Sequence, residues 1–322
     1  MGVSRAARAN STWAKVSRGC DGARAAGPSE QTRRSMRLVI VTPIHNEVGN
    51  IGQLAQQLAA STRRPDLWVV VDDGSTDRGA ELVREAQLPF DTLVIERANG
   101  GGLIGGSAFT AWQYGVDHAI SLGEQFDAIM KLDADVNLPA TYLMEALGAL
   151  ESDPVVGLAG GILTGKGDRE QMLHVPGPVK LYSKAGFDAL SFVPRVVGFD
   201  VMDELAIKAA GLRVMVRKDM PFTVRRAIGA SQGLVHGRRR NGLVCRWTGY
   251  WTPYFMLHAG RYLFRKPYVV GSFAMLAGYV RAGSGPYPAE LRSAHAAEQR
   301  QKLKLASRSP RNWLRETYGV SA

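Results

Sequence analysis

Between residues 38 and 163 the chain alternates short apolar runs with amphipathic stretches. Leu38-Val39-Ile40-Val41 is a continuous apolar run, the pattern of a strand covered on both faces. After it, Val48, Ile51, Leu54 and Leu58 recur at helical spacing. Leu67-Trp68-Val69-Val70-Val71 predicts a second strand. Ala80, Leu82, Val83 and Ala86 mark the helix behind it, with Ser75 or Thr76 placed to cap it. A third strand over residues 92–95 leads into a glycine cluster at residues 100–106 and then a helix bearing Trp112, Val116, Ala119 and Ile120. Residues 128–132 predict a fourth strand, Leu143, Ala146, Leu147 and Leu150 the next helix, and residues 155–163 a further strand. Strand and helix alternate four times, which predicts an α/β fold with an open, mostly parallel central sheet and helices on both faces.

In such sheets ligands sit beyond the carboxyl ends of the strands. Three polar segments fall there: Thr42-Pro43-Ile44-His45-Asn46-Glu47, Asp72-Asp73-Gly74-Ser75-Thr76-Asp77 and Asp133-Ala134-Asp135. Carboxylates two apart leave an extended chain on one side and repel unless a positive charge lies between them. A hard divalent cation that takes its other ligands from water and phosphate oxygens suits that position. The same three residues also suit a turn capped by Asp135, with Asn137-Leu138-Pro139 opening a helix. Asn46 could also simply cap its helix, and Asp72-Asp73-Gly74 could simply be a turn.

Charge narrows the choice of partner. The 322 residues carry a formal charge of +11 and a pI near 9.8. The excess is concentrated: residues 1–36 hold seven Arg and Lys against Asp21 and Glu30, and residues 281–322 hold eight against three Glu. Phosphorylated substrates, an anionic membrane surface or nucleic acid fit such a balance. Two cysteines, Cys20 and Cys245, are too few for a disulfide scaffold or a zinc site, which points to a reducing, cytoplasmic setting. No apolar run reaches the roughly twenty residues of a membrane span, and the N-terminus lacks the apolar core of a secretory signal. Residues 1–35 have no periodicity and read as a disordered basic N-terminus.

The three strand-end segments, in this order and spacing, resemble family 2 glycosyltransferases of the GT-A fold, over roughly residues 36–230. The resemblance implies a UDP- or GDP-linked nucleotide sugar as donor. It also implies that Pro43, His45, Asn46, Glu47 and Asp73 hold base and ribose. Asp133 and Asp135 match the motif that meets the ribose and a Mg2+ or Mn2+ ion on the diphosphate. For an inverting member the base would come from Gly198-Phe199-Asp200-Val201-Met202-Asp203-Glu204-Leu205. Asp200 holds the family's base position counted back from Gly211, with Asp203 and Glu204 as rivals one turn on. Acidic residues in a first helical turn also simply stabilise the helix dipole. His174-Val175-Pro176-Gly177-Pro178-Val179-Lys180-Leu181-Tyr182 is similar to the acceptor-side segment of bacterial envelope and exopolysaccharide members, which implies a lipid-linked or saccharide acceptor. Three features depart from the family. The glycine cluster has no Lys or Arg, His45 stands where an aromatic is common, and Phe222-Thr223-Val224-Arg225-Arg226 lacks a metal-binding histidine. Arg225 or Arg226 is then a candidate to neutralise the diphosphate.

Residues 231–322 read as a helical region. Trp247, Tyr250, Trp251, Tyr254 and Phe255 are interleaved with Arg and Lys, and the apolar run over residues 268–280 is too short to span. That composition suits a peripheral region at the cytoplasmic face of a membrane, or a cap that buries its rings. No nucleic-acid motif accompanies the charge. Two alternatives are a catalytically inactive GT-A scaffold and a dinucleotide-dependent oxidoreductase. The second rests on Gly100-x-Gly102-x-x-Gly105, which follows the third strand rather than the first.

Overall fold

Every residue of Leu38-Val39-Ile40-Val41 is shut off from solvent, as a strand covered on both faces requires. The run opens β1 (Leu38–Ile44), followed by α1 (Val48–Ala60), β2 (Leu67–Asp72), α2 (Gly79–Glu85), β3 (Asp91–Glu96), α3 (Ser107–Ser121) and β4 (Ala128–Leu132). Then come β5 (Val136–Asn137), α4 (Tyr142–Ser152), β6 (Val156–Leu163), β7 (Val179–Ser183), α5 (Lys184–Asp188), α6 (Phe199–Ala209) and β8 (Arg213–Val224). The computed structural model describes residues 35–98, 107–164, 174–225, 233–264, 266–309 and 311. Residues 1–34 of the basic N-terminus, the glycine cluster at 100–106 and Arg226 lie outside the described residues.

The strand order is β3-β2-β1-β4-β7-β6-β8-β5. From β3 to β4 all pairings are parallel, and the carboxyl ends of β1, β2 and β4 lie along one edge. The expected mostly parallel sheet is nevertheless mixed. Val179 N–H donates to the Pro176 carbonyl at 3.2 Å, and this turn feeds β7 into the sheet where β4 ends, with Val179 opposite Leu132. A strand entering there must run antiparallel to β4, and β7 is also antiparallel to β6. β8 then pairs parallel with β6 and antiparallel with the two-residue β5.

Two apolar layers cover the sheet. Ile51 and Leu54 of α1, Val83 of α2, and Tyr142 and Leu147 of α4 fill one. Trp112 of α3 and Phe199 of α6 join Tyr182 in the other. Neither Ser75 nor Thr76 caps α2. Asp77 takes that place, its Oδ1 accepting from Gly79 N–H at 3.0 Å while its Oδ2 accepts from Val48 N–H at 2.8 Å. One carboxylate thus serves the first turns of both α1 and α2 and ties the two loops together.

Among the described residues, four α-helices follow β8: α7 (Leu234–Trp247), α8 (Thr252–Gly260), α9 (Tyr268–Arg281) and α10 (Ala289–Arg308). The described chain from Met36 onward is one compact unit. Tyr287 ties these helices to the segment that leads into α6, its hydroxyl donating to the Val196 and Val197 carbonyls at 3.0 and 3.1 Å. Of the two arrangements expected for these rings, an outward belt or a cap that buries them, most follow the second. Phe255 stacks on Tyr279 with ring centroids 3.9 Å apart, and Trp247 Nε1 donates to the Ala282 carbonyl at 2.8 Å. The guanidinium of Arg238 lies 3.8 Å from the Tyr262 ring, so this cation and aromatic serve each other within the protein. No helix among the described residues is long and apolar enough to cross a membrane.

Candidate functional site

The ends of β1 and β2 are stitched into one surface by hydrogen bonds between their loops. Asp73 N–H donates to the Ile44 carbonyl at 2.9 Å, and His45 Nδ1 lies 3.0 Å from the Asp73 carbonyl. Asn46 has φ of 56°, a left-handed value that Asn tolerates better than most residues. Its N–H donates to Ser75 Oγ at 3.0 Å and its Oδ1 accepts from Thr76 N–H at 2.8 Å. Asn46 therefore binds the neighbouring loop and does not cap α1. Glu47 accepts from Asn50 Nδ2 at 2.8 Å. Pro43 is half-buried, and Asp73, nearly fully buried, pairs with Arg97 at 3.2 Å.

At the end of β4 the chain leaves the strand after Leu132 and turns through Ala134 and Asp135. A turn, not an extended strand, thus sets the two carboxylates. The positive charge beside Asp133 comes from Lys131, a buried residue of β4 whose Nζ forms an ion pair with Asp133 and donates to the Gly177 carbonyl at 3.0 Å. Burial, then the charge of Asp133, push the Asp135 carboxyl above its usual range, against its own backbone N–H, Lys131 and Arg225. Arg225 N–H donates to the Asp135 carbonyl at 2.9 Å, so the end of β8 meets this turn. Among the described residues no group of three or more His, Cys, Asp or Glu side chains is arranged to hold a metal alone.

The first two turns of α6 supply the third set of carboxylates, Asp200 and then Asp203 and Glu204, and its members are unequal. Asp203 is wholly buried. Lys180 Nζ donates to its two oxygens at 2.9 and 2.7 Å, and the Tyr182 hydroxyl donates at 2.6 Å. Lys180 also donates to the Asp200 carbonyl at 2.7 Å. Burial works against a charged Lys180, but Asp203, Glu204 and Asp200 outweigh it and raise its pKa. Glu204 is buried too. It accepts from Val175 N–H at 2.8 Å and lies 2.9 Å from His174 Nδ1. Burial opposes its charge, yet His174 and Lys180 hold its carboxyl below the usual range. Asp200 alone of the three is partly open. A Cβ added to Gly177 would sit 3.5 Å from an Asp200 carboxylate oxygen. Gly177 thus links the two carboxylate sets, since its carbonyl accepts a hydrogen bond from the lysine that pairs with Asp133. Arg240 of α7 faces the same group: burial lowers its pKa and the charge of Asp200 opposes the shift.

Lys131, Lys180 and Arg97 were not among the expected site residues. Lys131 and Lys180 stand directly opposite each other on β4 and β7. Each is a cation in an otherwise buried strand, a costly placement unless a carboxylate pairs with it. That signal was present in Ala128-Ile129-Met130-Lys131-Leu132 and in Val179-Lys180-Leu181-Tyr182.

The sequence matches the model of glycosyl transferase family 2 over residues 39–206, just over half of the chain. The chain belongs to that family and is a glycosyltransferase. The matched span begins in β1 and ends in α6, and so contains all three carboxylate sets. A mannosyltransferase from Pyrobaculum calidifontis, solved with GDP-Man and Mn2+, aligns over 88% of this chain and 85% of its own, at 19% identity and a TM-score of 0.53. TarS from S. aureus aligns over 84% of this chain and 55% of its own, at 14% identity and a TM-score of 0.51. Both likenesses concern the fold, which is GT-A-like. Among curated proteins none matches the sequence.

Proposed function

We propose that this family 2 glycosyltransferase moves a sugar from a UDP- or GDP-linked donor to a hydroxyl acceptor with inversion, and that Asp200 is the base. The convergence of the β1, β2 and β4 ends with the open carboxylate of Asp200 is the observation that carries this reading. Asp200 would take the acceptor proton as the oxygen bonds to the anomeric carbon and the bond to the diphosphate breaks. Asp203 and Glu204 support the alternative roles least, because both are buried and engaged by Lys180 and His174. Pro43, His45, Asn46, Glu47 and Asp73 would hold base and ribose on the stitched β1–β2 surface.

Asp133 and Asp135 fit a divalent cation. Burial, together with the charge of Asp133, raises the Asp135 pKa, and a metal shared with substrate phosphates needs only one or two protein carboxylates. Bound there, Mg2+ or Mn2+ would supply positive charge for the departing diphosphate. The fold neighbour from Pyrobaculum, which holds GDP-Man and Mn2+, is consistent with a donor and ion of this class. Arg225 lies beside the same turn and would share that work.

The reading extends to a catalytic part over residues 36–230 and a helical part over 231–322. The acceptor would be a lipid-linked or polysaccharide chain of bacterial envelope type, met by an enzyme held peripherally at the cytoplasmic face of the membrane. A screen of nucleotide sugars with Mn2+ or with chelator tests the core of it. Release of nucleoside diphosphate from one donor class, dependent on the metal, is expected. No release from any UDP- or GDP-sugar in the presence of Mn2+ would overturn it.

A further inference from the structure

Residues 220–289 contain no Asp or Glu, yet they carry nine Arg and one Lys. Packing this stretch into α7, α8 and α9 turns most of its rings inward and leaves aliphatic side chains outside. On α9, Val269, Val270, Phe273 and Val280 are 50%, 57%, 65% and 73% exposed. Residues 269, 273 and 280 recur at helical spacing and so share one face. The opposite side of α9 is fixed against α7. A Cβ on Gly278 would come within 1.9 Å of the Arg239 carbonyl, and one on Gly242 within 1.8 Å of the Met275 carbonyl. Arg239, Arg261, Lys266 and Arg281 are exposed on the same helical region.

We propose that the outward face of α9, with the cations around it, docks on an anionic lipid leaflet. This deepens the peripheral-membrane part of the reading above and rests on it, but not on the donor chemistry. A helix of 14 residues is about 21 Å long, too short to cross a bilayer and suited to lying in the headgroup plane. Its apolar side chains then enter the acyl boundary, while Arg and Lys meet lipid phosphates. A second copy of the chain is a poorer occupant, because a two-fold contact sets the same acid-free, cationic surface against itself. Nucleic acid would match the charge and leave the exposed valines and Phe273 unused. α9 packs on α7, whose Arg240 faces Asp200, so one helix pair bridges the docking face and the base.

Flotation of the full chain with phosphatidylcholine vesicles, alone or mixed with phosphatidylglycerol, tests this at low and high salt. The protein should float with the anionic vesicles, much less with phosphatidylcholine alone, and less as salt rises. Val270→Ser combined with Phe273→Ser should cut flotation by about tenfold or more with an unchanged melting temperature, because both side chains are exposed. A double variant that floats like the wild type removes this face while leaving peripheral binding standing. A wild-type chain that floats with neither vesicle removes both. Two further results would also overturn the proposal: a dimer in light scattering that the double variant abolishes, or capture of duplex DNA without flotation.

Discussion

Asp203 has no solvent exposure and shares Lys180 with the backbone of Asp200, whereas Asp200 itself is partly open. The two should therefore respond differently to the same charge-neutral change. Asp200→Asn should lower turnover by at least about a hundredfold, the range of a lost general base, with donor binding and unfolding midpoint nearly unchanged. Asp203→Asn should instead lower stability by roughly 3–5 kcal/mol in urea unfolding, because it strands a buried ammonium. If Asp203→Asn unfolds like the wild type but loses turnover, the base lies one turn further along α6. The residue types at the strand ends were legible in the sequence, since their order and spacing carried the resemblance. What each carboxylate touches was not. The pairing of Lys180 with Asp203 joins residues 23 apart in the chain, and only the antiparallel return of β7 brings them together.

At the scale of elements, the strands and helices up to β6, apart from the two-residue β5, followed the hydrophobic periodicity closely, because most of these strands are covered on both faces and the helices bury one. β7 and the full length of β8 did not stand out. β7 contains a buried lysine, and much of β8 is only half-covered, so neither gives an unbroken apolar run. In the C-terminal helices, the aromatic and basic composition suggested an outward belt; packing of Phe255 on Tyr279 and of Arg238 on Tyr262 turned those side chains toward one another. The seam between α7 and α9 depends on Gly242 and Gly278, each of which lets the other helix's backbone approach. Gly242→Ala should destabilise the protein by about 1–3 kcal/mol, as overpacking does, despite the better helix propensity of Ala. An unchanged thermal midpoint would mean that the helices separate freely. The same region should loosen in acid. Burial, reinforced by Arg261 and Arg238, takes the His258 pKa from 6.5 down to about 4. The unfolded chain therefore binds the proton first, so the stability held above about pH 6.5 is lost progressively as pH falls toward about 4. His258→Gln should flatten the melting temperature over that interval, and parallel curves for the two proteins would contradict this origin.

For the molecule as a whole, the α/β class and the sheet edge that carries the candidate site could be read from four repeats of strand and helix. The reversal at β7 could not, because strand direction depends on where the chain re-enters the sheet. The net charge of +11 pointed correctly to no single partner by itself. Nine Arg and one Lys fall in the acid-free stretch over residues 220–289, much of which folds into α7, α8 and α9. In the proposed reaction a diphosphate and a divalent cation meet at the turn after β4. Calorimetric titration of the nucleotide sugar selected by the screen, with Mn2+ or with chelator, into the wild type and Asp135→Asn measures that directly. The account predicts metal-dependent donor binding by the wild type and at least about a tenfold loss in the variant, whose swap preserves volume and should leave the melting temperature unchanged. Equal, metal-independent binding by both proteins would contradict it.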